Sequence, residues 1–164
     1  MAIKGTGQEF DLTMDAGASV RTLTSEFLCV GAVAASTNWT CYVTNDSTAA
    51  GTTNAYNVLG INQTRAMSSG STKCSVRTFG ISKAKCAASI TAFSWVCAYR
   101  GVSTTTRRGM IEEVGFAETQ TANITATNFT ILGRAMEDGS TNSVISVFVQ
   151  PVPYPLNHCT LAAT

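Results

Sequence analysis

Two stretches of this chain follow one plan. Residues 58–79 read VLGINQTRAMSSGSTKCSVRTF, and residues 131–148 read ILGRAMEDGSTNSVISVF. Each is a short apolar strand running into Leu-Gly, then a polar turn closing on Gly-Ser-Thr, then a strand ending at Phe. Gly70-Ser71-Thr72 and Phe79 fall on Gly139-Ser140-Thr141 and Phe148 with a single shift of 69 residues (139 − 70) and no gap. Short strands around glycine-containing turns are the pattern of β-hairpins. A hairpin unit used twice therefore restricts the chain to a fold built from strands.

The rest of the chain agrees. Residues 8–15 alternate strictly, with Phe10, Leu12 and Met14 apolar between Glu9, Asp11, Thr13 and Asp15, the period of a half-buried strand. That segment reads either as an arm that adds to a partner's sheet edge or as the first strand of its own domain. Strands are further expected over residues 20–35, 38–43, 73–79, 81–87, 94–99, 128–136 and 143–150, separated by Gly17, Gly80, Gly101 and a polar loop over 44–54. Residues 100–108 read as a hairpin tip, and Asp138-Gly139 as the closing turn. A short helix over 110–118 is the competing reading there. Pro151, Pro153 and Pro155 then alternate; lacking an N–H donor, they argue against a central strand and for an extended segment. The expected organisation is residues 1–16 as arm or first strand, 17–150 as β-domain, and 151–164 as a Pro-rich tail.

Period-two patterning assigns the core to Leu28, Val30, Val43, Val58, Leu59, Ile61, Val76, Phe79, Ile81, Val96, Ile131, Leu132, Val147 and Phe148. Trp39, Trp95 and Phe93 are expected to join it.

Composition narrows the function. With 164 residues, 45% hydrophobic and 13% charged, the chain is long enough for one core. A formal net charge of +1 provides no field for a polyanion or an anionic membrane, so neither nucleic acid nor membrane is expected as partner. The longest apolar candidate for a span, residues 27–35, is broken by Gly31. Residues 1–10 carry Lys4 but no apolar stretch of a secretory signal, so folding in a cytoplasm is expected.

Catalytic sets are missing. The single histidine, His158, lies in the tail, away from any nucleophile. Glu112-Glu113 are adjacent, and adjacent strand positions point to opposite faces. Arg107-Arg108 is too small a basic cluster to hold nucleic acid. The six cysteines form no Cys-x-x-Cys pair, which disfavours zinc. They read as buried free thiols, ahead of a cross-strand disulfide formed late. No enzyme activity, cofactor or metal is expected.

Residues 58–149, with their Val-Leu-Gly-Ile strand, Ser-Val-Arg-Thr-Phe-Gly-Ile strand, Ile-Thr-Ala turn and closing Leu-Gly-Arg-Ala-Met-Glu hairpin, resemble the capsid decoration (cement) proteins of tailed bacteriophages. Two departures stand out: Phe93-Ser94 occupies the place of that family's Gly-Asp, and the Pro-rich extension is longer than the family's usual end. The resemblance implies an all-β fold, a small antiparallel β-barrel or tulip-like sandwich with extended N- and C-terminal segments. It also implies a homotrimer, bound to the major capsid protein at three-fold and quasi-three-fold positions on the outside of a virion assembled in the host cytoplasm. Capsid contacts are then expected from Phe10, Leu12 and Met14, and interface contacts from Tyr154, Leu156 and Leu161 in the tail. A head-fibre or adhesin base is the alternative, and an enzyme acting on surface polysaccharide comes third.

Overall fold

The computed structural model describes residues 9–22, 26–32, 40–44, 58–65, 73–99, 105–114 and 129–154. They form an all-β fold of nine strands: β1 (Phe10–Ala16), β2 (Cys29–Ala32), β3 (Thr40–Val43), β4 (Val58–Asn62), β5 (Lys73–Lys85), β6 (Trp95–Ala98), β7 (Ile111–Glu113), β8 (Phe129–Ala135) and β9 (Val144–Tyr154). One helical turn, Ala18–Thr22, follows β1, and a 3-10 turn, Thr105–Arg107, precedes β7.

Five strands close a barrel in the order β1-β3-β2-β4-β5, with β5 returning to β1. The remaining strands continue from the other end of β5 as β5-β9-β8-β6-β7. This second sheet curls back on itself through one parallel bridge, Cys86 to Ile111, where the Ala87 N–H donates to the Ile111 carbonyl at 2.8 Å. Strand β5 is thus shared by both halves. Its 13 residues pair with β1 as far as Phe79 and with β9 from Gly80 onward. Gly80 reads in the sequence as a break between two strands; the structure instead makes it a bend within one. Its φ of +105° is open to glycine and strained for other residues.

Both sequence repeats are antiparallel hairpins. In the first, Ile61 and Asn62 face Arg77 and Val76; in the second, Arg134 and Ala135 face Phe148 and Val147. The Leu-Gly glycine of each repeat lies against the backbone of the returning strand. A Cβ on Gly60 would overlap the Arg77 carbonyl oxygen, and one on Gly133 would overlap that of Phe148. These glycines let two backbones approach where no side chain fits.

The core has two main clusters. Met14, Val30, Cys41, Val43, Cys74 and Val76 fill the barrel, while Ala84, Val96, Ile111, Leu132, Ile145 and Val147 fill the second half. Each fully buried aliphatic side chain contributes about 1.5–3 kcal/mol. Buried Asn62 satisfies itself locally: its Oδ1 accepts the Thr64 N–H at 3.0 Å and its Nδ2 donates to the Thr64 carbonyl at 2.7 Å.

Several sequence expectations need correction. Of the strand expected over 20–35, the described residues 20–22 belong to a helical turn, residues 26 and 27 to a bend at Phe27 (φ 67°), and only Cys29–Ala32 to β2. Around 110–118 the strand wins over the helix for residues 111–113, because β7 finds a partner in β6 at three register positions, Ala98 to Ile111 through Val96 to Glu113. The closing hairpin turns at residues 140–143 rather than at Asp138-Gly139. There the Ser143 N–H donates to the Ser140 carbonyl at 2.9 Å, and Asn142 takes the positive φ of 67°. The tail boundary also moves, since β9 continues through Pro151 and Pro153 to Tyr154. Past Gln150, among the described residues, it pairs with β8 alone, through Ile131–Val152, Thr130–Pro153 and Phe129–Tyr154. On its other side no described strand calls for the donor that proline lacks. Trp39, Cys159, His158 and most of the 44–54 loop lie outside the described residues.

Candidate functional site

Side chains at directly paired positions share a face of a sheet, and the register of this sheet builds a continuous row on its outside. Phe10 on β1 pairs with Phe79 on β5; two residues on, Ile81 pairs with Phe148 on β9, Phe148 with Arg134 on β8, and Arg134 with Trp95 on β6. The rings touch. Phe10 and Phe79 lie 6.2 Å apart, and Phe79 meets Phe148 edge-on at 5.4 Å and 77°. The Arg134 guanidinium sits 4.4 Å above the Trp95 ring. Aromatic pairs of this kind add about 0.5–1.5 kcal/mol each, yet the row stays open to solvent: Phe10 is 55% exposed, Ile81 52% and Trp95 37%. Leu12, Met136, Val144 and Val152 are further exposed apolar residues.

This arrangement overturns part of the expected core. Ile81, Trp95 and Phe93 are surface residues, and Phe79 and Phe148 are only half-buried, while Leu59 is partly covered. The remaining described members of the expected core are buried. Isolated exposed hydrophobics are ordinary, but a row of apolar side chains on four strands, joined across β8 by Arg134 stacked on Trp95, is the mark of an interaction surface.

Charged groups beside the row are paired. Arg77 forms an ion pair with Glu9 at 2.9 Å and another with Asp11, and its Nη1 donates to the Ile81 carbonyl at 2.6 Å. The two carboxylates hold the guanidinium charged above its ordinary range, with the Asp11 hydrogen bond the largest cause. Lys83 reaches Glu137 at 3.1 Å and Ser146 Oγ at 2.9 Å. An apolar, aromatic centre with neutralised polar edges matches the anatomy of protein interfaces.

Glu137 supplies a pH test. The Ser146 backbone N–H, then Lys83, hold its carboxyl below the ordinary value of 4.5. A depressed folded pKa stabilises the fold above the unfolded pKa and stops doing so as pH falls through the folded one. Thermal midpoints measured from about pH 6 to about pH 3 should therefore decline, and Glu137→Gln should make that decline shallower.

Beyond Trp95 stands a braced turn. Ser94 N–H donates to the Thr91 carbonyl at 3.2 Å and Ser94 Oγ does so at 2.7 Å, while Phe93 N–H donates to Ala135 at 2.9 Å. Asp138 accepts the Ala92 N–H at 2.7 Å, and Glu113 accepts the Thr91 N–H at 2.9 Å. Within this frame Phe93 has φ 63° and is 66% exposed. A bulky residue in the left-handed region is a backbone outlier, costing about 1–3 kcal/mol. The turn thus holds Phe93 in a conformation that glycine adopts without strain, and it keeps an aromatic ring out in water.

The expected contact residues separate. Phe10 and Leu12 are on the surface, whereas Met14 is buried inside the barrel and unavailable to a partner. Strand β1 pairs with β5 along Phe10–Asp15 and with β3 at Asp15 and Ala16, so it stands in its own barrel as the first-strand alternative expects. Tyr154 ends β9, and Leu156 and Leu161 lie outside the described residues. No group of three or more potential metal ligands occurs among the described residues. Alternation within β5 was the missed signal for the row. Phe79 and Ile81 share parity with Lys73, Arg77, Lys83 and Lys85, while Cys74, Val76 and Ala84 hold the buried parity. No protein-family model, curated protein or solved structure matches this chain.

Proposed function

We propose that this protein is a binding module, a capsid decoration protein of a tailed bacteriophage that attaches to the outside of the major capsid protein shell and stabilises the head. The observation that carries the reading is the exposed row from Phe10 to Trp95, extended by Phe93. It is supported by the resemblance of residues 58–149 to that family and by the all-β barrel such a protein requires. Affinity comes from buried apolar area and a few aromatic anchors rather than from any reaction. The assembly is proposed to be a homotrimer on three-fold and quasi-three-fold positions, where three weak contacts act together.

The test is binding to DNA-filled, expanded capsids. Saturable binding of three copies per three-fold or quasi-three-fold position is expected, together with a higher temperature for DNA release. Binding in only a few copies per particle would point to a fibre base, and no binding would sink the proposal.

A further inference from the structure

Two cysteines meet inside the barrel. Cys41 on β3 and Cys74 on β5 are both buried, and their sulfurs lie 3.2 Å apart. Their strands are not neighbours. Strand β1 runs between them, Ala16 pairing with Cys41 and Met14 with Cys74. In a flat sheet, strands two places apart are separated by about 10 Å, beyond the reach of a disulfide. Barrel closure turns both side chains toward the common axis and brings the sulfurs together.

We propose that Cys41 and Cys74 are an oxidation site, closing to an intramolecular disulfide when the folded chain meets a peroxide. The Cys74 thiolate attacks one peroxide oxygen; an S–O bond forms, the O–O bond breaks, and the departing hydroxide takes up a proton as water. Cys41 sulfur then attacks the Cys74 sulfenic acid; the S–S bond forms, the S–O bond breaks, and the hydroxyl leaves as water with the Cys41 proton. Two thiols lose two hydrogens and two electrons, and the peroxide becomes two waters. One hydrogen bond joins the two sulfurs, and either can donate it; their coupling lowers the Cys74 thiol and raises that of Cys41, and exchanging the two roles leaves the balance and the product the same. Asp15, the nearby carboxylate, opposes ionisation of both.

Closure requires the sulfurs to approach by roughly 1 Å, to the S–S bond length of about 2.05 Å. Strand β3 has the freedom for this, since two register pairs tie it to β1, Asp15 with Thr40 and Ala16 with Cys41, and only three tie it to β2. The link spans 33 positions and fastens β3 to β5 across β1, so it opposes opening of the barrel. It stands independently of the capsid proposal.

The experiment treats the purified full chain with a small excess of hydrogen peroxide. Intact mass without reductant should fall by two hydrogens, and peptide mapping should join the segment carrying Cys41 to the one carrying Cys74. The thermal midpoint should rise by roughly 10 °C, as expected for a loop of this length, and dithiothreitol should reverse both changes. Cys74→Ala should abolish the mass loss and the shift. An unchanged mass, added oxygen without a link, or a link joining other cysteines would each overturn the proposal, and the mapping on the unaltered chain decides it even if the variant does not fold.

Discussion

Replacing Gly133 by alanine is expected to destabilise the protein by about 3–5 kcal/mol, lowering the thermal midpoint by roughly 10 °C or more. The new Cβ would overlap the Phe148 carbonyl oxygen and stand 2.9 Å from its carbonyl carbon and 3.2 Å from the Gln150 nitrogen. Those atoms are backbone of the paired strand β9, so no rotamer change relieves the overlap. The φ of +155° adds strain that glycine alone avoids. Relief must come from parting β8 and β9 at a bulge that already interrupts their register between Ile131 and Gly133. Gly60→Ala meets the Arg77 backbone in the first hairpin, with its carbonyl carbon 2.8 Å from the new Cβ, without a positive φ, and should be destabilising to a smaller degree. Thermal denaturation of the two variants checks both. A Gly133→Ala midpoint within about 2 °C of the parent, under 1 kcal/mol for a chain of this size, would contradict the close approach.

Phe93→Gly is expected to separate stability from binding. Glycine relieves the left-handed strain of about 1–3 kcal/mol, while its greater freedom in the unfolded chain returns about 0.5–1 kcal/mol. The ring is two-thirds in water, at 66% exposure, so little packing is lost. The midpoint should therefore hold or rise. Under the capsid proposal, losing an aromatic anchor should weaken attachment by about 2 kcal/mol or more, roughly 30-fold. Melting and capsid titration of the same variant give both readouts. A midpoint drop of several degrees would show that the turn needs the ring for folding, and unchanged affinity would remove Phe93 from the contact surface.

Much of the fold was legible because hairpins are local. Leu-Gly, the polar turn and the strand ending at Phe sit within about two dozen residues, and their alternation carries the pairing with it. The turn at 140–143 was misplaced by a few residues because Asp-Gly and Asn both accept turn geometry, and only the pairing of Ile90 with Gly139 decides between them. The outer row was missed for a different reason. Phe79, Ile81 and Phe148 are apolar, and apolar type alone points to burial, although the parity of β5 and β9 places them with Lys83 and Ser146.

What the residues determined by themselves is the class: strands, two matching hairpins, and glycines where backbones meet. What only the tertiary structure decided is how those strands close. The return of β5 to β1, the parallel contact of β1 with β3, and the passage of β5 through Gly80 into a second sheet all join residues distant in sequence, such as Phe10 with Phe79. Closure also chose the covered faces, sealing Met14 inside, leaving Phe10 and Ile81 outside, and drawing Cys41 to Cys74 across an intervening strand. A strand's alternation states that it has two faces; which face meets water depends on what packs against it.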